Sequence, residues 1–158
     1  IMARQIALSL GAEMYGAPGT VQKSRDALKE LVKDSGWDFP ELYIDNGAGL
    51  SRDTRISAEH LGQVLIAAAD SVYQAEFIAS LSISGLDGTL RRQYRNEPVT
   101  GRMHLKTGRL TDVFAVGGYV VADSGERFAV VLLQNFSKAH RGIGQETQNA
   151  LLRWVYEH

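Results

Sequence analysis

Two segments near the C-terminus fix most of what this chain can fold into. Residues 113–122 and 127–134 contain Val120-Val121 and Ala129-Val130-Val131-Leu132-Leu133, apolar at consecutive positions. Successive side chains of a strand point to opposite faces, so strands of this kind are apolar on both faces and need cover on both. Asp123-Ser124-Gly125-Glu126 supplies the turn between them. The sequence therefore predicts an α+β fold, an antiparallel sheet with helices on both faces. His104-Leu105-Lys106-Thr107-Gly108 adds a strand. Residues 143–156 close the chain as a helix, with Ala150, Leu151, Trp154 and Val155 at the spacing of a buried stripe.

The helices come mostly from the first half. Met2, Ile6 and Leu10 recur every four residues with no capping residue ahead of them, so this helix is expected to begin in upstream sequence. Gly16-Ala17-Pro18-Gly19 breaks it, and Thr20 caps a second helix. Val21, Ala27, Leu28, Leu31 and Val32 form its apolar face, Lys23, Arg25, Lys29 and Lys33 its wet one, and Gly36 ends it. Leu42-Tyr43-Ile44 reads as a short strand entering Asp45-Asn46-Gly47-Ala48-Gly49, a turn that requires positive φ. Ser57 caps a third helix carrying Leu61, Val64, Leu65 and Ala68. A short helix near 74–81 leads into the loop Ser84-Gly85-Leu86-Asp87-Gly88-Thr89.

Composition narrows the function classes. The 158 residues are 44% hydrophobic and 22% charged, which describes one ordinary folded unit rather than a disordered tail. Seventeen Lys and Arg against eighteen Asp and Glu leave a net charge of −1, so no nucleic-acid partner is expected. The absence of cysteine excludes disulfides, thiol catalysis and Cys-zinc sites. His60, His104, His140 and His158 lack metal-ligand spacing, so neither metal nor cofactor is expected. His104 alternates with Lys106 on one strand face and is expected to be a surface histidine, with a place bordering a cleft as the alternative.

Lys106-Thr107-Gly108 is the triplet with chemical promise. A nucleotide-binding Lys-Thr needs a glycine-rich loop just ahead, whereas His104 and Leu105 continue a strand. Two readings stay open for the bare triplet: a solvated strand end, or an anion site where an ammonium and a hydroxyl meet a bound carboxylate. The glycine removes a Cβ and lets another backbone lie against the strand. Gly142-Ile143-Gly144 lacks the third glycine of a dinucleotide-binding turn and reads as a helix entry. The Gly-x-Ser-x-Gly nucleophile elbow does not occur.

Four blocks in succession add to this reading. Asp45-Asn46-Gly47-Ala48-Gly49-Leu50-Ser51-Arg52 comes first, and Ser82-Ile83-Ser84-Gly85-Leu86-Asp87-Gly88-Thr89-Leu90-Arg91-Arg92 second. Gly101-Arg102-Met103-His104-Leu105-Lys106-Thr107-Gly108-Arg109-Leu110 is third, and Ala115-Val116-Gly117-Gly118-Tyr119-Val120 fourth. In this order they resemble the C-terminal portion of the D-alanyl-D-alanine carboxypeptidase/endopeptidase family, the class C low-molecular-mass penicillin-binding proteins. The resemblance runs over essentially all of residues 1–158. It implies the C-terminal part of a penicillin-recognising, β-lactamase-like serine transpeptidase domain. It also implies a periplasmic enzyme, with peptidoglycan stem peptides ending in D-Ala-D-Ala and β-lactams as partners.

The family's site joins Ser-x-x-Lys, Ser-x-Asn and Lys-Thr-Gly. By the resemblance, Lys106 brings positive charge to the substrate carboxylate and helps move protons. Thr107 donates a hydrogen bond to that carboxylate. Gly108 admits the substrate backbone to the sheet edge, and the backbone N–H of Arg109 is an oxyanion donor. Arg52 stands where the family has an arginine facing the diaminoacid side chain of the substrate; read from this sequence alone, it serves equally as a partner of Asp53 or Asp45. Ala48 departs from the serine often found there.

No serine in the chain has a lysine three residues on, and no Ser-x-Asn occurs. Tyr94-Arg95-Asn96 imitates a Tyr-x-Asn variant, but ten residues before Lys106 it reads as a plain loop. The nucleophile is therefore expected in a missing N-terminal part, along with two sheet strands and the helix that carries it. The expected activity is a serine-type D-Ala-D-Ala carboxypeptidase/endopeptidase, with the isolated chain silent. The alternative is a non-catalytic module that binds wall peptides.

Overall fold

The computed structural model describes residues 2–158; Ile1, which begins the expected first helix, lies outside them. The chain forms two compact units, Ile1–Ser57 and Ala58–His158.

The first unit is a helical pair with a looped extension. Helices α1 (Met2–Tyr15) and α2 (Val21–Asp34) pack where Gly11 is buried against the backbone of Lys23 and Ser24. A Cβ at Gly11 would sit 2.6 Å from the Ser24 nitrogen, so only glycine allows this approach. Thr20 caps α2 by accepting from the Lys23 N–H at 3.2 Å, and Gly36 follows the helix at φ 73°. On α1 the expected apolar line is only partly used, since Met2 and Ile6 are exposed. The strand expected at Leu42-Tyr43-Ile44 is reduced to a single bridge, Tyr43 with Arg55. The loop below it is held from the side: Arg25 donates to the carbonyls of Ile44 and Asp45 at 2.8 and 2.7 Å.

The second unit is a four-stranded antiparallel sheet, β1 (Ser82–Ile83), β2 (Met103–Leu110), β3 (Val113–Val121) and β4 (Arg127–Asn135), in sequential order. Helices α3 (Ala58–Asp70), α4 (Gln74–Ala79) and α5 (Ile143–Glu157) complete it. The two faces of β3 show where the helices lie. Val116 and Val120 share a buried cluster with Leu152 of α5. Gly117, on the opposite face, lies against Leu61 and Leu65 of α3, and Tyr119 on that same face donates its hydroxyl to the Leu65 carbonyl at 2.6 Å. Helices thus cover both faces, as the doubly apolar strands demand.

β1 occupies Ser82–Ile83, between the short helix expected near 74–81 and the loop expected from Ser84, two residues to which the sequence assigns no element. One expectation in this unit needs correction. On α5 the buried positions are Gly144, Gln148, Leu152 and Tyr156, while Ala150 and Trp154 are exposed and Leu151 and Val155 only partly covered. Gly144 explains the rotation: a Cβ there would collide with the Ala139 carbonyl and press on Phe114, so its bare side must face the sheet. Positions four, eight and twelve residues on then follow it inward.

Candidate active site

Met103 and Leu105 seat β2. Both are fully buried in the cluster with Val116, Val120 and Leu152, and burying each contributes about 1.5–3 kcal/mol. From Met103 to Leu110 the strand pairs with β3 in unbroken register, Lys106 opposite Gly117 and Arg109 opposite Phe114. On its other side β1 pairs only with His104 and Leu105. Among the described residues, no strand covers that side of Lys106–Leu110.

The direction of the backbone groups on this open side follows from two hydrogen bonds. Met103 accepts from the Ser84 N–H at 3.0 Å, so its polar groups face β1, whereas the Arg102 carbonyl faces β3 and accepts from Val121 N–H at 2.8 Å. Backbone groups alternate along a regular strand. The N–H and C=O of Thr107 and Arg109 therefore point out of the open edge, and those of Lys106 and Gly108 into the ladder. The Lys106 ammonium rests on the Thr107 carbonyl, 2.5 Å away, on that same edge.

The side chains divide between the two faces. Lys106 is exposed on the face that also carries His104, whose Nδ1 is buried without a hydrogen-bond partner. Thr107 and Arg109 lie on the other face. The Thr107 hydroxyl is 3.1 Å from that of Thr89, and Arg109 donates through Nη2 to the His140 carbonyl at 2.6 Å. A Cβ at Gly108 would meet only the Ala115 Cβ, at an ordinary 3.6 Å. The fold itself therefore does not require glycine at that position. Lys106, Thr107, Gly108 and Arg109 thus present an ammonium, a hydroxyl, an open path and two outward N–H groups along one exposed edge. An extended peptide with a carboxylate fits that set.

Arg52 belongs to the first unit, on the exposed stretch after the Asp45 turn, where its carbonyl accepts from Arg55 at 2.7 Å. Asp45 is held by Arg25 at 3.1 Å. Asn46 organises the turn by donating to Asp45 Oδ2 at 2.9 Å and accepting from Ala48 N–H at 2.8 Å. The Tyr94-Arg95-Asn96 triplet is a loop with Tyr94 and Asn96 at φ 61° and 59°. Tyr94 is buried, and burial pushes its phenol above the ordinary tyrosine range.

Sequence reasoning gave no role to Thr89, which bonds Thr107, or to Arg91, Arg92 and Arg95, which line a cleft beside it. Two consecutive arginines after a glycine turn were the available signal. No group of histidine and acidic side chains among the described residues has the arrangement of a metal site. No helix among them is long and apolar enough to cross a membrane.

The chain is similar to known proteins in sequence and in fold. The D-alanyl-D-alanine carboxypeptidase of Actinomadura sp. (strain R39) is 30% identical over 135 residues, which cover 82% of this chain and 25% of that protein. Penicillin binding protein 4 of Haemophilus influenzae, solved in complex with a β-lactam, superposes with a TM-score of 0.88 at 22% identity, over 99% of this chain and 38% of that one. A penicillin G-acylated predatory endopeptidase from Bdellovibrio bacteriovorus gives 0.65 at 16% identity, over 96% of this chain and 45% of that one. The two solved structures establish the penicillin-binding fold, and the chain spans a quarter to under half the length of these relatives. With residues 1–157 also matching its family model, the chain belongs to the D-Ala-D-Ala carboxypeptidase 3 (S13) family.

Proposed function

We propose that this chain is the C-terminal part of a periplasmic, serine-type D-Ala-D-Ala carboxypeptidase/endopeptidase that cuts peptidoglycan stem peptides and is acylated by β-lactams. The observation that carries this reading is the open half of β2, with Lys106, Thr107, Gly108 and Arg109 on an edge with outward N–H groups. In this reading a stem peptide pairs with that edge and places its terminal carboxylate at Lys106 and Thr107. The Arg109 N–H stabilises the oxyanion as a serine from the N-terminal part attacks the carbonyl. The serine O–C bond forms, the peptide C–N bond breaks, and the amine of the leaving D-alanine takes the proton. Water then frees the acyl-enzyme. Arg52 selects stem peptides whose third residue bears a free carboxylate.

Labelling with a fluorescent penicillin tests the reading. The full-length protein is expected to become labelled and the 158-residue chain to stay dark, since none of its serines has a lysine one helical turn on. Hydroxylamine-sensitive labelling of the isolated chain would overturn the assignment of the nucleophile. A full-length protein that stays unlabelled yet retains stem peptide would instead support a non-catalytic binding module.

A further inference from the structure

Gly88, Thr89, Arg91, Arg92 and Arg95 line a cleft of 440 Å³. The three guanidiniums are exposed, and none has a hydrogen bond or ion pair with another described residue. Two other arginines of the same unit are engaged, Arg153 with Glu97 at 3.0 Å and Arg109 with the His140 carbonyl, whereas Arg102 and Arg127 are exposed like the three in the cleft but do not line it. The segment that presents the free cations is firmly seated. Leu90 and Tyr94 are buried, Tyr94 donates to Asn149 Oδ1 at 2.5 Å, and Thr100 donates to the Tyr94 carbonyl at 2.5 Å. Three unneutralised like charges in one concavity raise the local concentration of anions. Guanidiniums also match carboxylates with paired hydrogen bonds.

The position of the cleft says which anion. Thr89 belongs to its wall, and the Thr89 hydroxyl lies 3.1 Å from that of Thr107. The cleft therefore lies next to the place given above to the substrate's terminal carboxylate. A single stem peptide ends at that carboxylate and offers nothing further for three arginines. In a cross-linked substrate the leaving residue still puts its carboxylate at Thr107, but its side chain carries a second stem peptide onward.

We propose that the Arg91–Arg92–Arg95 cleft is the subsite for the second, carboxylate-bearing stem peptide of a cross-linked substrate. It thereby favours cleavage between strands over trimming of a free end. This rests on the function proposed above and adds a specificity site to it. The three arginines are binding residues and take no part in bond breaking.

The test uses the full-length protein with three substrates: a single stem peptide ending in D-Ala-D-Ala, a cross-linked dimer, and that dimer amidated at every carboxylate of its second stem except the one beside the scissile bond, which is left to meet Thr107. The ratio of kcat/KM for dimer over single peptide is expected to fall at least tenfold in the triple variant Arg91→Gln, Arg92→Gln, Arg95→Gln, chiefly through KM. Amidation should give a similar fall in wild type and little more in the variant, and three lysines in place of the arginines should restore part of the ratio. A ratio unmoved by the variant, or indifferent to amidation, overturns the proposal while leaving the parent function intact. A wild type that cleaves neither substrate refutes the parent function and this proposal with it. If circular dichroism shows the glutamine variant unfolded, the amidation comparison in wild type decides alone.

Discussion

The two halves of β2 differ in what flanks them. His104 and Leu105 are paired on both sides, by β1 and by β3. There the chain is closed against itself so tightly that Gly118, opposite Leu105 at φ 149°, has no room for a Cβ beside the His104 carbonyl. Lys106–Leu110 are paired on one side only, and Gly108 has ordinary space around it. The same residue type, glycine, is thus required by the fold in one half and not required by it in the other. An open edge is a liability that proteins normally blunt. Retaining one beside an exposed ammonium is understandable if a ligand pairs with it.

Substitutions along the strand can break this comparison. The largest loss of stability is expected at the closed half: Gly118→Ala should destabilise the full-length protein by about 3 kcal/mol or more, read from a urea unfolding midpoint. A neutral result would show that the closed half is not sterically closed. Next in size comes a proline pair. Arg109→Pro removes an N–H that points out of the edge, so the fold should tolerate it while penicillin acylation slows by roughly 100-fold or more. Gly108→Pro removes a ladder bond to β3 and should cost about 3 kcal/mol of stability. Equal unfolding in both would mean that the backbone polarity assigned to the edge is wrong.

Gly108→Ala is a gentler probe. Stability should change by no more than about 0.5 kcal/mol, while turnover of stem peptide falls about tenfold as the added methyl holds the substrate backbone off. Unchanged turnover would mean that no backbone approaches there. Smallest is Arg52→Ala, expected to cut the preference for diaminopimelate-containing over lysine-containing peptides about fivefold, or roughly 1 kcal/mol. The same preference in both proteins would remove Arg52 from substrate recognition.

How much of this was legible in the sequence depended on which kind of signal each element carries. β3 and β4 declared themselves by runs of apolar residues, and α2 by its cap and its lysine-lined face. β1 did not, because two residues paired by one neighbour leave no periodic trace, and Ser82 looks like loop. The face of α5 was misjudged because Ala, Leu, Trp and Val at helical spacing outweighed a glycine and a glutamine. Close approach at Gly144 sets the rotation, and Gln134 donating to the Gly144 carbonyl at 2.8 Å helps hold it. In the site, Lys106-Thr107-Gly108 was legible as a motif. That Thr107 and Arg109 direct their N–H groups outward was not, since this depends on where β1 stops. The arginine cleft was visible only as two adjacent letters, Arg91-Arg92, because its wall comes together through a turn that positive φ at Tyr94 and Asn96 makes possible.

The central claim is that the open half of β2 is where substrate and β-lactam are held for acylation. Its most direct test is the rate at which a fluorescent penicillin acylates the full-length protein, compared with its Lys106→Ala variant at matched folding. A charge about 4 Å from a carboxylate contributes about 4 kcal/mol at an effective dielectric of 20. Allowing for solvent at this exposed edge, we expect acylation to slow by about 100-fold, or roughly 2.7 kcal/mol. Equal acylation rates in a folded Lys106→Ala protein would contradict the account.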